Sequence, residues 1–182
     1  LKNRIDTRKL VILGLMVGLN VILTRFASLR ISIGGVEGIR IGLGTFPVVF
    51  SGILFGPLSG AAVGALGDLL GFFLHPMGVY MPHFTLSAAL AGALPGLFIR
   101  IVTPDREPGY MKLLLAIGLG QAITSLFMVP WFLEILFGIP WWTTLPPRII
   151  SYAVVVPAYA FFTQRLYRRL EAFYSLRAHE SL

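Results

Sequence analysis

Apolar stretches separated by short polar, glycine- and proline-rich connectors make up almost the whole chain. Six of them read as helices, at about 9–26, 40–55, 58–75, 84–102, 111–133 and 147–167. Unbroken apolar runs of this kind suit a lipid core, where about 20 helical residues cross ~30 Å of hydrocarbon. The runs at 40–55 and 58–75 fall short of that, which predicts either local thinning of the bilayer or burial inside the bundle. Ser28 to Gly38 alternates and ends in glycines, predicting an outer loop with a short hairpin. Phe55-Gly56-Pro57 leaves room only for a tight reversal, and Pro47 is a proline of the kind membrane helices accept when neighbours satisfy the freed carbonyl. Two prolines stiffen the loop from His75 to Pro82, which carries Tyr80. Arg100 to Lys112 is the plainly hydrophilic connector, and Phe137 to Pro147 is a loop whose Trp141 and Trp142 suit the membrane interface. The last run leaves the membrane as an amphipathic tail with Arg165, Arg168 and Arg169. The expected architecture is an all-α integral membrane protein, a single domain over residues 1–182 with six transmembrane helices in one bundle.

Within the third run, Gly56, Gly60, Gly64, Gly67 and Gly71 fall in one stripe of roughly 80° on a helical wheel. Such a stripe lets neighbouring helices approach closely where water supplies no driving force. Asp68 lies at its edge, about 40° from Gly64. A carboxylate at membrane depth is expensive, so it is expected to face the bundle interior and to have a partner. The first run carries a second small-residue face, Gly14 and Gly18.

Composition agrees with the membrane reading: 56% of residues are hydrophobic, 13% are charged and mean hydropathy is +0.81. Cysteine is absent, which removes disulfides and thiolate metal sites. The net charge of +7 would suit nucleic acid if it were clustered, but the basic residues sit between apolar runs, where they set orientation and imply a lipid bilayer as the surrounding partner. The side holding both termini collects eleven of the 15, namely Lys2, Arg4, Arg8, Lys9, Arg100, Arg106, Lys112, Arg165, Arg168, Arg169 and Arg177. Arg25, Arg30, Arg40 and Arg148 lie opposite, so both termini are expected in the cytoplasm. Arg8, Lys9 and Arg25 frame the first run, which lacks a small-residue cleavage site and does not read as a cleavable signal.

The four outer cations are all Arg, whose planar fork suits carboxylates. Either they cap helices and snorkel to headgroups, or Arg25, Arg40 and Arg148 converge at a mouth that takes an anionic ligand. Asp68 is either the internal partner of one of them or the acceptor for a ligand's N–H groups. Gln121, Thr124, Ser125, Met128 and Phe132 share one face of the fifth run, while Arg148, Tyr152 and Tyr159 share one face of the sixth. His75 and His83 lack a third ligand and read as interface histidines rather than a metal site. There is no Ser-His-Asp order, no paired carboxylates and no GxxxxGK[ST], so hydrolysis of ATP would need a partner.

The run of motifs Leu23-Thr-Arg25-Phe, Arg40-Ile-Gly-Leu-Gly-Thr-Phe-Pro47, Gly52-Ile-Leu-Phe-Gly-Pro57-Leu-Ser-Gly60, Gly64-Ala-Leu-Gly-Asp68 and Pro76-Met-Gly-Val-Tyr80-Met-Pro82-His-Phe-Thr85 resembles the S components of energy-coupling factor (ECF) transporters, most closely those for folate. Pro147-Arg148-Ile-Ile fits the same group. The resemblance spans nearly the whole chain and implies a vitamin-binding membrane subunit, not an enzyme, in the cell membrane of a prokaryote. It implies capture of folate outside and delivery through a transmembrane T subunit and two ATPase subunits, which alone would use ATP. The first helix of such proteins usually meets the T subunit through Ala-x-x-x-Ala; here Gly14 and Gly18 hold those places. The expected substrate-binding set is Arg25, Arg40, Asp68, Tyr80, Phe84, Gln121, Arg148 and Tyr152, with aromatic walls and a carboxylate for the pteridine and arginines for the glutamate tail. Riboflavin or thiamin is the rival substrate, and an intramembrane hydrolase using Asp68 and the histidines is the rival class.

Overall fold

A computed structural model describes residues 7–25, 28–33, 36–74, 76, 80–103 and 108–180, with the side chains of 28–33, 36–41 and 170–180 outside the description. Six helices and one hairpin follow in order: α1 (Thr7–Arg25), β1 (Ser28–Ile33), β2 (Val36–Gly42), α2 (Phe46–Phe55), α3 (Pro57–Leu74), α4 (Pro82–Val102), α5 (Tyr110–Phe137) and α6 (Trp141–Glu180). Five of the helices are long and apolar enough to cross a membrane. The sixth, α2, has 10 residues, and seven of them, Pro47 to Ile53, are buried. Burial inside the bundle therefore compensates for its shortness.

The hairpin extends further than the alternation at 28–38 indicates. β1 and β2 pair antiparallel from Ser28↔Gly42 through Arg30↔Arg40, with an irregularity between Ile31 and Ile33. The run expected as a helix over 40–55 thus begins as the end of β2, and its helix starts only at Phe46. Gly42 and Gly44 are poor helix formers, whereas Pro47 fits the first turn, where its missing N–H costs nothing. The opposite error occurs at the sixth run. Its helix begins at Trp141, inside the expected loop, accommodates Pro146 and Pro147 early on, and continues to Glu180 rather than ending near 167. The amphipathic tail is the continuation of the same helix.

The glycine stripe of α3 does its packing in two sections. A methyl group on Gly60 would strike the Gly92 carbonyl of α4, and one on Gly64 would strike the Ala88 carbonyl. Gly52 of α2 lies against the Gly92 carbonyl as well, and Gly96 against the carbonyl of Gly52, so α2, α3 and α4 meet backbone to backbone. Further along, Gly67 lies against the Asn20 side chain and Gly71 under the Arg25 guanidinium, both from α1. Gly56 is not part of the helical stripe: it forms the α2–α3 turn with φ of +100°, a conformation that favours glycine. A core of Val49, Ile53, Ile99, Leu113, Ile117, Val156 and Tyr159 joins α2, α4, α5 and α6. The Tyr159 hydroxyl donates to the Gly42 carbonyl (3.0 Å), fastening α6 to the base of the hairpin. Large apolar side chains such as Leu15, Leu58, Phe73, Phe127 and Ile149 face outward, as lipid requires.

Candidate ligand-binding site

A cavity of about 790 Å³ lies between the helices and the base of the hairpin. That is within the range of small-molecule sites, roughly 300–1,000 Å³. Every helix contributes to its wall: Asn20 and Arg25 from α1, Val48 from α2, Asp68 and Phe72 from α3, Phe84 and Ser87 from α4, Gln121 and Ser125 from α5, and Arg148, Tyr152 and Tyr159 from α6. Tyr80, in the connector before α4, closes one side with its ring 5.3 Å from that of Phe72. Seven of the eight residues expected to bind substrate, Arg25, Asp68, Tyr80, Phe84, Gln121, Arg148 and Tyr152, thus meet around one space. Arg40 belongs to β2, and its side chain lies outside the described residues, as does His75. His83 does not reach the cavity; it packs edge-on against Phe132 at 5.1 Å.

Glycine makes this room possible. Gly64, Gly67 and Gly71 give the α3 wall no side chain between Val48, Asn20 and Arg25, and Asp68 projects beside them. The Asp68 carboxylate accepts at Oδ2 from the Thr85 hydroxyl (2.7 Å), and Thr85 Oγ1 lies 2.9 Å from the Tyr80 hydroxyl. Asn20 is buried in α1 with Nδ2 donating to the Gly44 carbonyl (2.7 Å), which ties α1 to the turn before α2. Gln121 is only 8% exposed, and its Nε2 has no hydrogen-bond partner among the described residues. A buried amide donor on a cavity wall is costly unless something in the cavity accepts its hydrogen.

α5 departs from the expected face, and the cause is its middle turn. Ala122–Met128 is a π-helix, in which the Val129 N–H bonds the Thr124 carbonyl five residues back rather than four. The wider turn sets everything after it back by one position. Gln121, Thr124 and Ser125 line the cavity as expected, but Val129, Leu133 and Phe137 follow them instead of Met128 and Phe132. The hydroxyl of Thr124 donates to the Gly120 carbonyl (3.0 Å) beside the distortion.

Thr85 and Asn20 escape a reading by periodicity for different reasons. Asn20 had a signal, a lone amide in the middle of an apolar run, which by itself marks a membrane-depth site. Thr85 had none, because its contact with Asp68 crosses from α4 to α3 and depends on tertiary packing. Gly14 and Gly18 lie on the outside of α1, exposed, with nothing within 4 Å of where their side chains would be.

The sequence matches the family model described as ECF-type riboflavin transporter, S component, over residues 4–154. The folate transporter FolT of Clostridium novyi (strain NT) is 34% identical over 151 residues, covering 83% of each chain. Among solved structures, FolT bound with folic acid is similar at a TM-score of 0.73 with 26% identity, covering 91% of this chain and 97% of that one. An S component of a bacterial ECF transporter (TM-score 0.67, 20% identity, 92% and 97% covered) and an S component for biotin (0.66, 19%, 94% and 95%) share the fold. Family and relatives are transporter components rather than enzymes, so the hydrolase reading falls. With its helices arranged around a central cavity, this multi-pass membrane protein belongs to the S components of ECF-type transporters.

Proposed function

We propose that the chain is a folate-binding S component. The observation that carries this is the set of charged groups that the described residues bring to the cavity: one carboxylate, Asp68, among glycines and aromatic rings, and two arginines, Arg25 from α1 and Arg148 from α6. A carboxylate can take two parallel N–H donors, as the 2-amino-4-oxo edge of a pteridine presents them. Phe72, Tyr80, Phe84 and Tyr152 supply rings for a flat heterocycle. The arginines suit the carboxylates of a glutamate tail. The buried Gln121 amide adds a donor for a ring nitrogen or carbonyl. The 34% identical folate transporter supports the same ligand.

The excess of basic residues on the side of the termini supports a cytoplasmic location for both in a prokaryotic cell membrane, with the ligand entering from outside. The unfilled face of Gly14 and Gly18 on α1 suits close approach by a T subunit helix. The two ATPase subunits that would hydrolyse ATP complete the importer.

Riboflavin is a second reading, because the matching family model carries that vitamin's name. The two heterocycles have distinct absorption spectra. Protein purified from cells grown with both vitamins and then denatured should release a pteridine chromophore, while release of a flavin would overturn the folate reading.

A further inference from the structure

Asp68 is one face of a three-residue hydrogen-bond chain whose direction follows from counting protons. A threonine hydroxyl has a single hydrogen. Thr85 donates it to Asp68 Oδ2 (2.7 Å), so the 2.9 Å contact between Thr85 Oγ1 and the Tyr80 hydroxyl must have Tyr80 as donor. The chain therefore runs Tyr80 O–H to Thr85 O–H to the carboxylate, every hydrogen pointing toward Asp68. Three elements are joined by it: the connector before α4, the first turn of α4, and α3. Among the described residues Thr85 is the hydrogen-bond partner of the carboxylate, and it engages one oxygen.

We propose that Thr85 is the positioning residue of the ligand site, and that Tyr80 sets it. A carboxylate rotates through a broad torsional range when nothing holds it. Thr85 fixes Oδ2, so Oδ1 and the remaining lone pairs of Asp68 are presented to the cavity before ligand arrives. Ordering the acceptor in advance lowers the entropic cost of binding. The direction of the chain also restricts the ligand: with both hydroxyl hydrogens turned toward the carboxylate, the end of the chain offers acceptors only, so the ring edge placed there must donate. Tyr80 has a second part. Its ring stands on Phe72 while its hydroxyl reaches Thr85, so Tyr80 is held at the cavity from both ends of its side chain. Neither residue is required to touch the donating edge of the ligand for this effect.

This inference rests on the folate reading for the ligand used in its test. Thr85→Val removes the hydroxyl and keeps the shape, Thr85→Ser keeps the hydroxyl, and Tyr80→Phe keeps the ring. Folic acid and bare pterin are titrated into the purified wild type, the three variants and the Thr85→Val/Tyr80→Phe double variant, with melting temperature recorded for each. Loss of a hydrogen bond to a charged group predicts that Thr85→Val weakens both ligands about 10- to 100-fold. Thr85→Ser should stay within about threefold of wild type, since the donor to the carboxylate survives. Tyr80→Phe should weaken binding by itself and add little in the Thr85→Val background, because the two act through one chain. Wild-type affinity in Thr85→Val, an equal loss in Thr85→Ser, or full additivity of the two substitutions would each overturn the proposal. Should the wild type bind riboflavin and not folic acid, the folate reading fails, and the same comparison made with riboflavin decides the role of Thr85. Binding of neither would overturn both.

Discussion

At the scale of single residues, the cavity separates two kinds of polar contact. Asp68 is suited to the heterocycle, and Arg25 and Arg148 to carboxylates on a tail that bare pterin lacks. Removing one partner of a buried hydrogen-bonded charge pair costs about 2–5 kcal/mol. Asp68→Ala should therefore weaken folic acid and pterin alike, by about 30-fold or more. Arg148→Ala should weaken folic acid while leaving pterin within about threefold, since pterin lacks the tail this arginine would bind. Parallel titrations of the two ligands measure this split; equal losses for both ligands in both variants would mean that these groups hold the fold instead. Gln121→Leu is a third case. It deletes a donor that has no partner among the described residues, so the empty protein should keep or gain melting temperature while folic acid weakens about two- to tenfold. A drop in melting temperature with unchanged affinity would contradict a ligand-facing role.

At the scale of elements, the π-turn of α5 decides which residues a ligand meets. Val129→Trp should fill the cavity and abolish binding, whereas Met128→Trp, one position away, should leave affinity close to wild type. The reverse pattern would contradict the π-turn and point to an uninterrupted α-helix. α1 makes a similar comparison on its outer face. Gly14→Leu with Gly18→Leu places bulk where the structure has open space, so vitamin binding by the isolated protein should be near normal while uptake by the complete transporter is lost. Loss of binding itself would show that the pair serves this chain's own packing.

The same elements show what a sequence can disclose. Apolar length revealed α1, α3 and α4 because lipid imposes one solution, a helix, on any long apolar run. It misplaced the start of α2, because Ile41, Gly42 and Leu43 carry the apolar run from the strand end toward the helix that follows. It misread the start of α6, because prolines and tryptophans that signal a loop in water are tolerated in the first turns of a membrane helix. Asp68, Gln121, Arg25 and Arg148, which line the cavity, were legible since a polar group in an apolar run requires a reason. The one-residue shift after Ser125 and the Thr85 contact were not, since one arises from a backbone distortion and the other from helix packing.

At the scale of the whole molecule, the proposal requires the cavity to open away from the side that carries the termini. Single cysteines are informative because the chain has none of its own. Those at positions 105 and 177 should resist an impermeant thiol reagent in intact cells, while one at position 36 should react. Labelling in the opposite sense would invert the protein and place the arginines inside the cell. Orientation and partners bear on transport, but the central claim concerns the cavity itself. It is tested most directly by titrating folic acid and riboflavin into the purified wild-type chain, with no other subunit present. One molecule of folic acid should bind per chain, with riboflavin failing to compete for the site; tighter binding of riboflavin would contradict the claim, as would the absence of any folate binding without the partner subunits.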